Sequence, residues 1–209
     1  MCVIHTPNKP VQALVNKVVS TLSVMPYPNG ELPAIQATVG RLSTNWNWHS
    51  RHEMTIFLNN FFFSSIYQLR AAEPELGTLS SLQLILLSLL ADEKIEVRES
   101  ARRTLTNIIA WEVMDGPAKQ ALLDRFIASY REKTELREKH AAALGVCAFV
   151  YANKRQMTAF LANVVIYLCR LLTDPLPAVQ VGVLDLGIVE SFSVLICFFL
   201  CFRNPSPRR

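Results

Sequence analysis

The sequence predicts an all-α chain built from helix pairs stacked on one another, and three observations predict it. Apolar residues recur at spacings of three and four from about residue 51 to residue 172. No segment of useful length alternates apolar and polar residues as a half-buried strand would. A Leu-Leu-x-Asp-x-x-x-x-Val-polar phrase occurs twice, 82 residues apart.

The elements follow in order. Residues 1–50 are punctuated by Pro7, Pro10, Pro26, Pro28 and Pro33. They admit one short amphipathic helix over residues 11–25, with Val11, Leu14, Val15, Val18 and Leu22 on a common face. Pro26 to Gly30 ends it, because proline removes donors and Asn29-Gly30 favours a turn. The next stripe is Met54, Phe57, Leu58, Phe61, Phe62 and Ser65, broken at Glu73-Pro74 and Gly77. Leu79, Leu82, Ile85, Leu86, Leu89 and Leu90 form another. After a turn at residues 91–94, Val97, Ala101, Leu105, Ile108 and Ile109 share a face, with Glu99 and Arg103 placed as a solvent-facing i, i+4 pair.

Asp115-Gly116-Pro117 marks a break. Two stripes follow it: Leu122, Leu123, Phe126, Ile127 and Tyr130, then Leu136, His140, Leu144, Cys147 and Tyr151, the second with an i, i+4 Glu135 and Lys139. Phe160, Leu161, Val164, Val165, Leu168, Leu171 and Leu172 make the last, stopped at Asp174-Pro175. The organisation expected is a segment 1–50, repeats over 51–181, and a divergent apolar segment 182–209 with a basic end.

The repeated phrase has a physical reading. Leu89-Leu90-Ala91-Asp92 leads to Val97-Arg98, and Leu171-Leu172-Thr173-Asp174 leads to Val179-Gln180. Half of the separation falls on Glu138, inside the helix that carries His140 and Gly145, so a unit of about 41 residues fits the array. That is the period of HEAT and armadillo repeats, in which each helix pair buries its second face only by stacking in an α-solenoid. The paired leucines end an apolar helix, and Asp92 or Asp174 is expected to cap the next by accepting from its free amides. Val97 begins the next buried stripe, and Arg98 is placed to reach a carboxylate across the repeat interface.

Composition narrows the function classes. At 209 residues and 51% hydrophobic, the chain buries a proper core, and disorder throughout is excluded. The net charge of +4 is spread over short clusters, not gathered into the stripe of a nucleic-acid binder, so no direct nucleic-acid partner is expected. Five cysteines without a Cys-x-x-Cys read as buried thiols in a reducing compartment. Residues 1–10 carry no apolar core of signal-peptide length.

Residues 89–101, Leu-Leu-Ala-Asp-Glu-Lys-Ile-Glu-Val-Arg-Glu-Ser-Ala, continuing to Thr104-Leu105, resemble the carboxy-terminal HEAT region of the large proteasome-activator family. Residues 139–148, Lys-His-Ala-Ala-Ala-Leu-Gly-Val-Cys-Ala, resemble the family's next helix, and residues 171–175 the turn after it. The resemblance covers about residues 50–181. It implies Asp92, Val97, Arg98, His140, Gly145 and Asp174 as structural signature positions of a non-enzymatic scaffold. It further implies a cap on the α-ring of the 20S proteasome that works without ATP, in nucleus and cytoplasm, with links to histone degradation and DNA repair. Histones would then be partners, and no cofactor is expected.

The sequence also departs from that family. Its members are many times longer and end in a hydrophobic-Tyr-x tail, whereas this chain ends Pro205-Ser206-Pro207-Arg208-Arg209 and leaves the pattern from about Val181. The Asn-Phe pair that the family uses for acetyl-lysine falls near Glu112-Val113, where neither residue matches, so that activity is not carried over.

Other constellations argue little. His49-x-x-His52 lacks a third ligand nearby and is flanked by Trp46 and Trp48. Cys197 and Cys201 lie one turn apart without an adjoining base. No nucleophile elbow, phosphate loop, dinucleotide fingerprint or His-Glu-x-x-His occurs, so nothing supports an enzyme. Residues 186–202 are apolar but interrupted by Glu190 and shorter than the roughly 20 residues of a spanning helix, which disfavours a membrane anchor. An unrelated HEAT-repeat adaptor is the alternative reading, and a tail-anchored protein a third.

Overall fold

A computed structural model describes residues 9–111, 114–132, 135–153 and 161–172. Among them are eight α-helices, a 3-10 turn at Asn29–Glu31 and no strand. The helices are α1 (Lys9–Val24), α2 (Leu32–Ser43), α3 (Trp48–Leu76), α4 (Thr78–Leu89), α5 (Ile95–Ala110), α6 (Gly116–Glu132), α7 (Leu136–Ala152) and α8 (Leu161–Leu172). The all-α expectation is met, with packed helix pairs. Tertiary contacts divide the chain into two units, Met1–Leu122 and Leu123–Arg209, with the boundary inside α6.

In the first unit α3 packs against both α1 and α5, while α2 packs against α4. Odd-numbered helices therefore form one layer and even-numbered helices the other, as stacked helix pairs require. Helices α3 and α5 run parallel, because contacts climb them in step. Thr55 meets Ser100, Asn59 meets Asn107, and Phe63 meets Trp111. The 41-residue period recurs as a contact distance along the chain. The Ser64 hydroxyl donates to the Ser23 carbonyl at 2.9 Å, and the Gln68 amide donates to the Tyr27 carbonyl, each 41 residues away. In the same register, α5 begins at Ile95 and α7 at Leu136.

Most of the core stripes fall where the spacing puts them. Met54, Leu58, Phe61 and Phe62 of α3 are buried with Leu79, Leu82, Leu86 and Leu89 of α4 and Val97, Ala101, Leu105, Ile108 and Ile109 of α5. Each of these side chains larger than alanine contributes about 1.5–3 kcal/mol by leaving water.

Three local features differ from the sequence reading. Residues 1–50 hold two helices where one was expected, the second being α2. Pro33 does not prevent it, since it sits in the first two positions of that helix, where the missing N–H would have no intrahelical partner. The apolar face assigned to the first helix is turned outward, with Leu14, Val18 and Leu22 exposed. Glu73-Pro74 does not end α3. The helix runs on to Gly77, whose φ of +57° supplies the left-handed stop and whose N–H still reaches the Glu73 carbonyl at 2.9 Å. The Glu73 carboxylate then turns to α4 and accepts from the Leu79 and Ser80 amides at 2.7 and 3.2 Å, so it caps the helix that its own helix precedes.

At the next junction Asp115 accepts from the Ala118 amide at 2.8 Å, and Asp115-Gly116-Pro117 acts as a helix start as well as a break.

In the second unit α7 is enclosed more fully than a single stripe implies. All residues from Ala142 to Val150 are buried, while Leu136 and Tyr151, placed on the apolar stripe by spacing, are largely exposed. Small residues allow this: Ala142, Ala143, Gly145 and Ala148 let neighbours approach the helix backbone. At Gly145 a Cβ would fall inside the Phe126 ring of α6. The end of α6 is tied to α8 through Tyr167, whose ring lies 5.1 Å from the Arg131 guanidinium and 5.6 Å from that of Arg170.

Candidate protein-interaction surface

The repeat turn is organised by a charge cluster. Asp92 sits two residues before the cap of α5, which is Lys94 and makes no side-chain cap bond. Its Oδ1 accepts from the Lys94 amide at 2.8 Å, so Asp92 closes the turn ahead of the helix and does not cap the helix's own free amides. Both its carboxylate oxygens also receive the Arg51 guanidinium, at 2.6 Å from Nε and 2.9 Å from Nη2. Arg51 Nη2 further donates to Glu93 Oε1 at 3.2 Å, and Nη1 to the Asn45 carbonyl at 2.6 Å. The two partners of the fork are only 8% and 6% exposed in their side chains. The hydrogen bond to Asp92 raises the Arg51 pKa above its ordinary value, against the opposing effect of burial.

Sequence reasoning placed Arg98 to reach a carboxylate across the repeat interface; the cation that meets Asp92 at this turn is Arg51, from the helix of the preceding repeat. The missed signal was arithmetic, because Arg51 precedes Asp92 by 41 residues, one period.

The remaining signature positions are structural in placement. Val97 is fully buried on α5, Arg98 is half-buried beside it, and His140 and Gly145 lie buried in α7. Asp174 falls outside the described residues, as do Glu112-Val113, Cys197, Cys201 and residues 186–202. His49 and His52 are helical residues. Both lie in the first turns of α3, whose cap Asn47 accepts from the His49 amide at 3.1 Å, and the Trp48 ring stacks on His49. Glu99 pairs with Arg102 at 2.9 Å, not with Arg103, which is exposed.

Two concavities of the first unit offer binding room. An apolar cleft of about 430 Å³ lies among α1, α2 and α3, floored by Val39, Met54 and Phe57, with Glu31 and Glu53 also in its lining. A groove of about 580 Å³ with mixed polar and apolar lining runs between α3 and α5, with His52, Asn59, Glu96, Glu99, Arg103 and Asn107 among its residues. Across it the Asn107 amide donates to the Asn59 carbonyl oxygen at 2.8 Å, a pair that sequence reasoning did not mark. Among the described residues no group of three His, Cys, Asp or Glu side chains could hold a metal ion. Among them, too, no helix is long and apolar enough to cross a membrane.

Comparison with known proteins adds a distant similarity. No protein-family model matches the chain. Over 167 residues, 72% of this chain, it is 23% identical to proteasome activator complex subunit 4 of Bos taurus and of Homo sapiens. It is 22% identical to subunit 4B of Danio rerio over the same length. The chain covers 9% of the length of these relatives. The crystal structure of an engineered protein aligns over 92% of this chain and 85% of its own, at 19% identity and a TM-score of 0.43, a likeness too slight to carry an argument. These relatives are named as activators of the proteasome and not as enzymes.

Proposed function

We propose that the chain is a helical-repeat scaffold module of proteasome-activator type. In this reading it takes part in capping the 20S proteasome at the α-ring without ATP, in nucleus and cytoplasm, in the service of histone degradation and DNA repair. The repeats are assigned to residues 51–181, with residues 182–209 as a divergent end. The observation that carries the reading is the similarity over 72% of the chain to proteasome activator complex subunit 4. The cross-repeat contacts of 41-residue span in the first unit are in keeping with it, because stacked helix pairs present an extended surface to a partner.

Co-sedimentation with purified 20S particles tests the proposal. The chain is expected to pellet with the particle when no ATP is present. Retention in the supernatant, under conditions that pellet a full-length activator, would overturn it.

A second reading, a helical-repeat adaptor with no tie to the proteasome, is favoured by the low identity and the 9% share of the relatives' length. An affinity capture that returns other proteins and no proteasome subunit would support this alternative.

A further inference from the structure

We propose that the groove between α3 and α5 binds an extended, unmodified peptide segment. The Asn59–Asn107 amide pair would hold its main chain, and Phe63 with Trp111 would seat one aromatic or proline side chain. The inference goes beyond the proteasome reading and stands without it.

The amides carry the argument. A primary amide has two N–H donors and a carbonyl acceptor with two lone pairs. Asn107 spends one N–H on Asn59 Oδ1 at 2.8 Å, and Asn59 donates to Asn60 Oδ1 at 3.3 Å. The Asn107 carbonyl oxygen and a second N–H are left to face a ligand from a residue that lines the groove. A donor beside an acceptor is what a peptide unit, with its own N–H and C=O, pairs with in extended form.

The aromatic end is built from the same two faces. Phe63 lies one turn beyond Asn59, and Trp111 one turn beyond Asn107. Their rings meet with centroids 4.9 Å apart, tilted by 55°. Phe63 is nevertheless 64% exposed, and Tyr67, a further turn along, is 83% exposed. Phe63 and Tyr67 thus continue the line of Asn59 along α3 with exposed apolar area that a bound side chain can cover. From His52 to Phe63 the helix rises about 16 Å, the reach of about five extended residues.

The charges separate a polypeptide from a nucleic acid. Glu96 and Glu99 line the groove with Arg103 and His52, so its field is mixed. A phosphate backbone is held by a concentrated positive stripe, which this groove does not provide.

The test uses the full chain and fluorescence anisotropy. The probe is a labelled peptide of about seven residues, serine and glycine around a central Phe-Pro. Controls are an all-serine/glycine peptide of equal length and oligouridylate. The Phe-Pro peptide is expected to bind about tenfold more tightly than the serine/glycine control. N107A and W111S are each expected to weaken it about fivefold while still melting cooperatively. Equal binding of both peptides, or full binding by both variants, would show that the amide pair only fastens α3 to α5. Displacement of the peptide by oligouridylate would assign the groove to nucleic acid instead. If a variant fails to fold, the wild-type chain decides. A benzoylphenylalanine form of the peptide is expected to crosslink on α3 and α5 around Asn59, Phe63 and Trp111, and crosslinks elsewhere would overturn the site.

Discussion

Arg51 and Asp92 stand 41 residues apart in the chain and meet through two charge-assisted hydrogen bonds of 2.6 and 2.9 Å. The guanidinium fork also draws in the Asn45 carbonyl, so one side chain joins the turn before α3 to the turn before α5. Planar bidentate geometry is what lysine cannot reproduce.

Removing one partner of this nearly buried pair leaves the other charge without compensation. D92A is therefore expected to destabilise the fold by about 3 kcal/mol, read as a loss of chemical-denaturation midpoint. R51K should retain less than half of the stability that wild-type Arg51 confers over R51A. Equal midpoints for R51K and wild type would show that charge alone, and not the fork, is what matters.

At Gly145 the cause of stability is space. A methyl group there would overlap the Phe126 ring, so G145A is expected to cost about 1–3 kcal/mol through overpacking. Combining it with F126L should recover part of the loss, and a double-mutant cycle by thermal melting measures the coupling. Strict additivity would mean that the ring moves aside freely.

Gly77 isolates a backbone effect, because no atom lies within 4 Å of where its Cβ would stand. Its φ of +57° alone penalises a side chain. G77A is expected to lose about 1 kcal/mol and G77N distinctly less, since asparagine tolerates the left-handed region. Thermal melts of the two variants give the comparison.

Tyr27 makes stability depend on pH in the alkaline range. Burial, and secondarily the Glu31 carboxylate, raise the pKa of its hydroxyl above the ordinary 10.0, and the hydroxyl donates to the Leu22 carbonyl at 2.6 Å. The folded state thus keeps the proton longer than the unfolded one. Its contribution is complete below about pH 10 and is lost as pH rises through the higher folded value. Urea midpoints of wild type and Y27F should differ by a constant amount below that pH and converge above it.

Much of the fold could be read from spacing. The stripes of α3, α4 and α5 are amphipathic, and a periodic apolar face has few ways to be buried. The second helix of residues 1–50 was hidden because Pro33 looks like a breaker until it is known to lie at a helix start. Pro74 misled in the opposite sense, since the stop belongs to Gly77. The enclosure of α7 was not legible either, because alanine and glycine show no apolar stripe yet permit close approach on every side. The groove was less legible than the core. Asn59 and Asn107 lie far apart in sequence and carry no motif, and only the parallel stacking of α3 on α5 makes them a pair. Asp92 was found from its repeat, but its partner Arg51, one period upstream, was not.

The position of α3 between two companions decides how far an injury travels. α1 leans chiefly on α3, and so does α5 from its own side. Unwinding α1 strips one flank, whereas unwinding α3 leaves two helices bare at once and opens two fronts for proteolysis. Variation in α3 therefore reaches both companions at once, an effect set by neighbourhood and not by how oily the helix is.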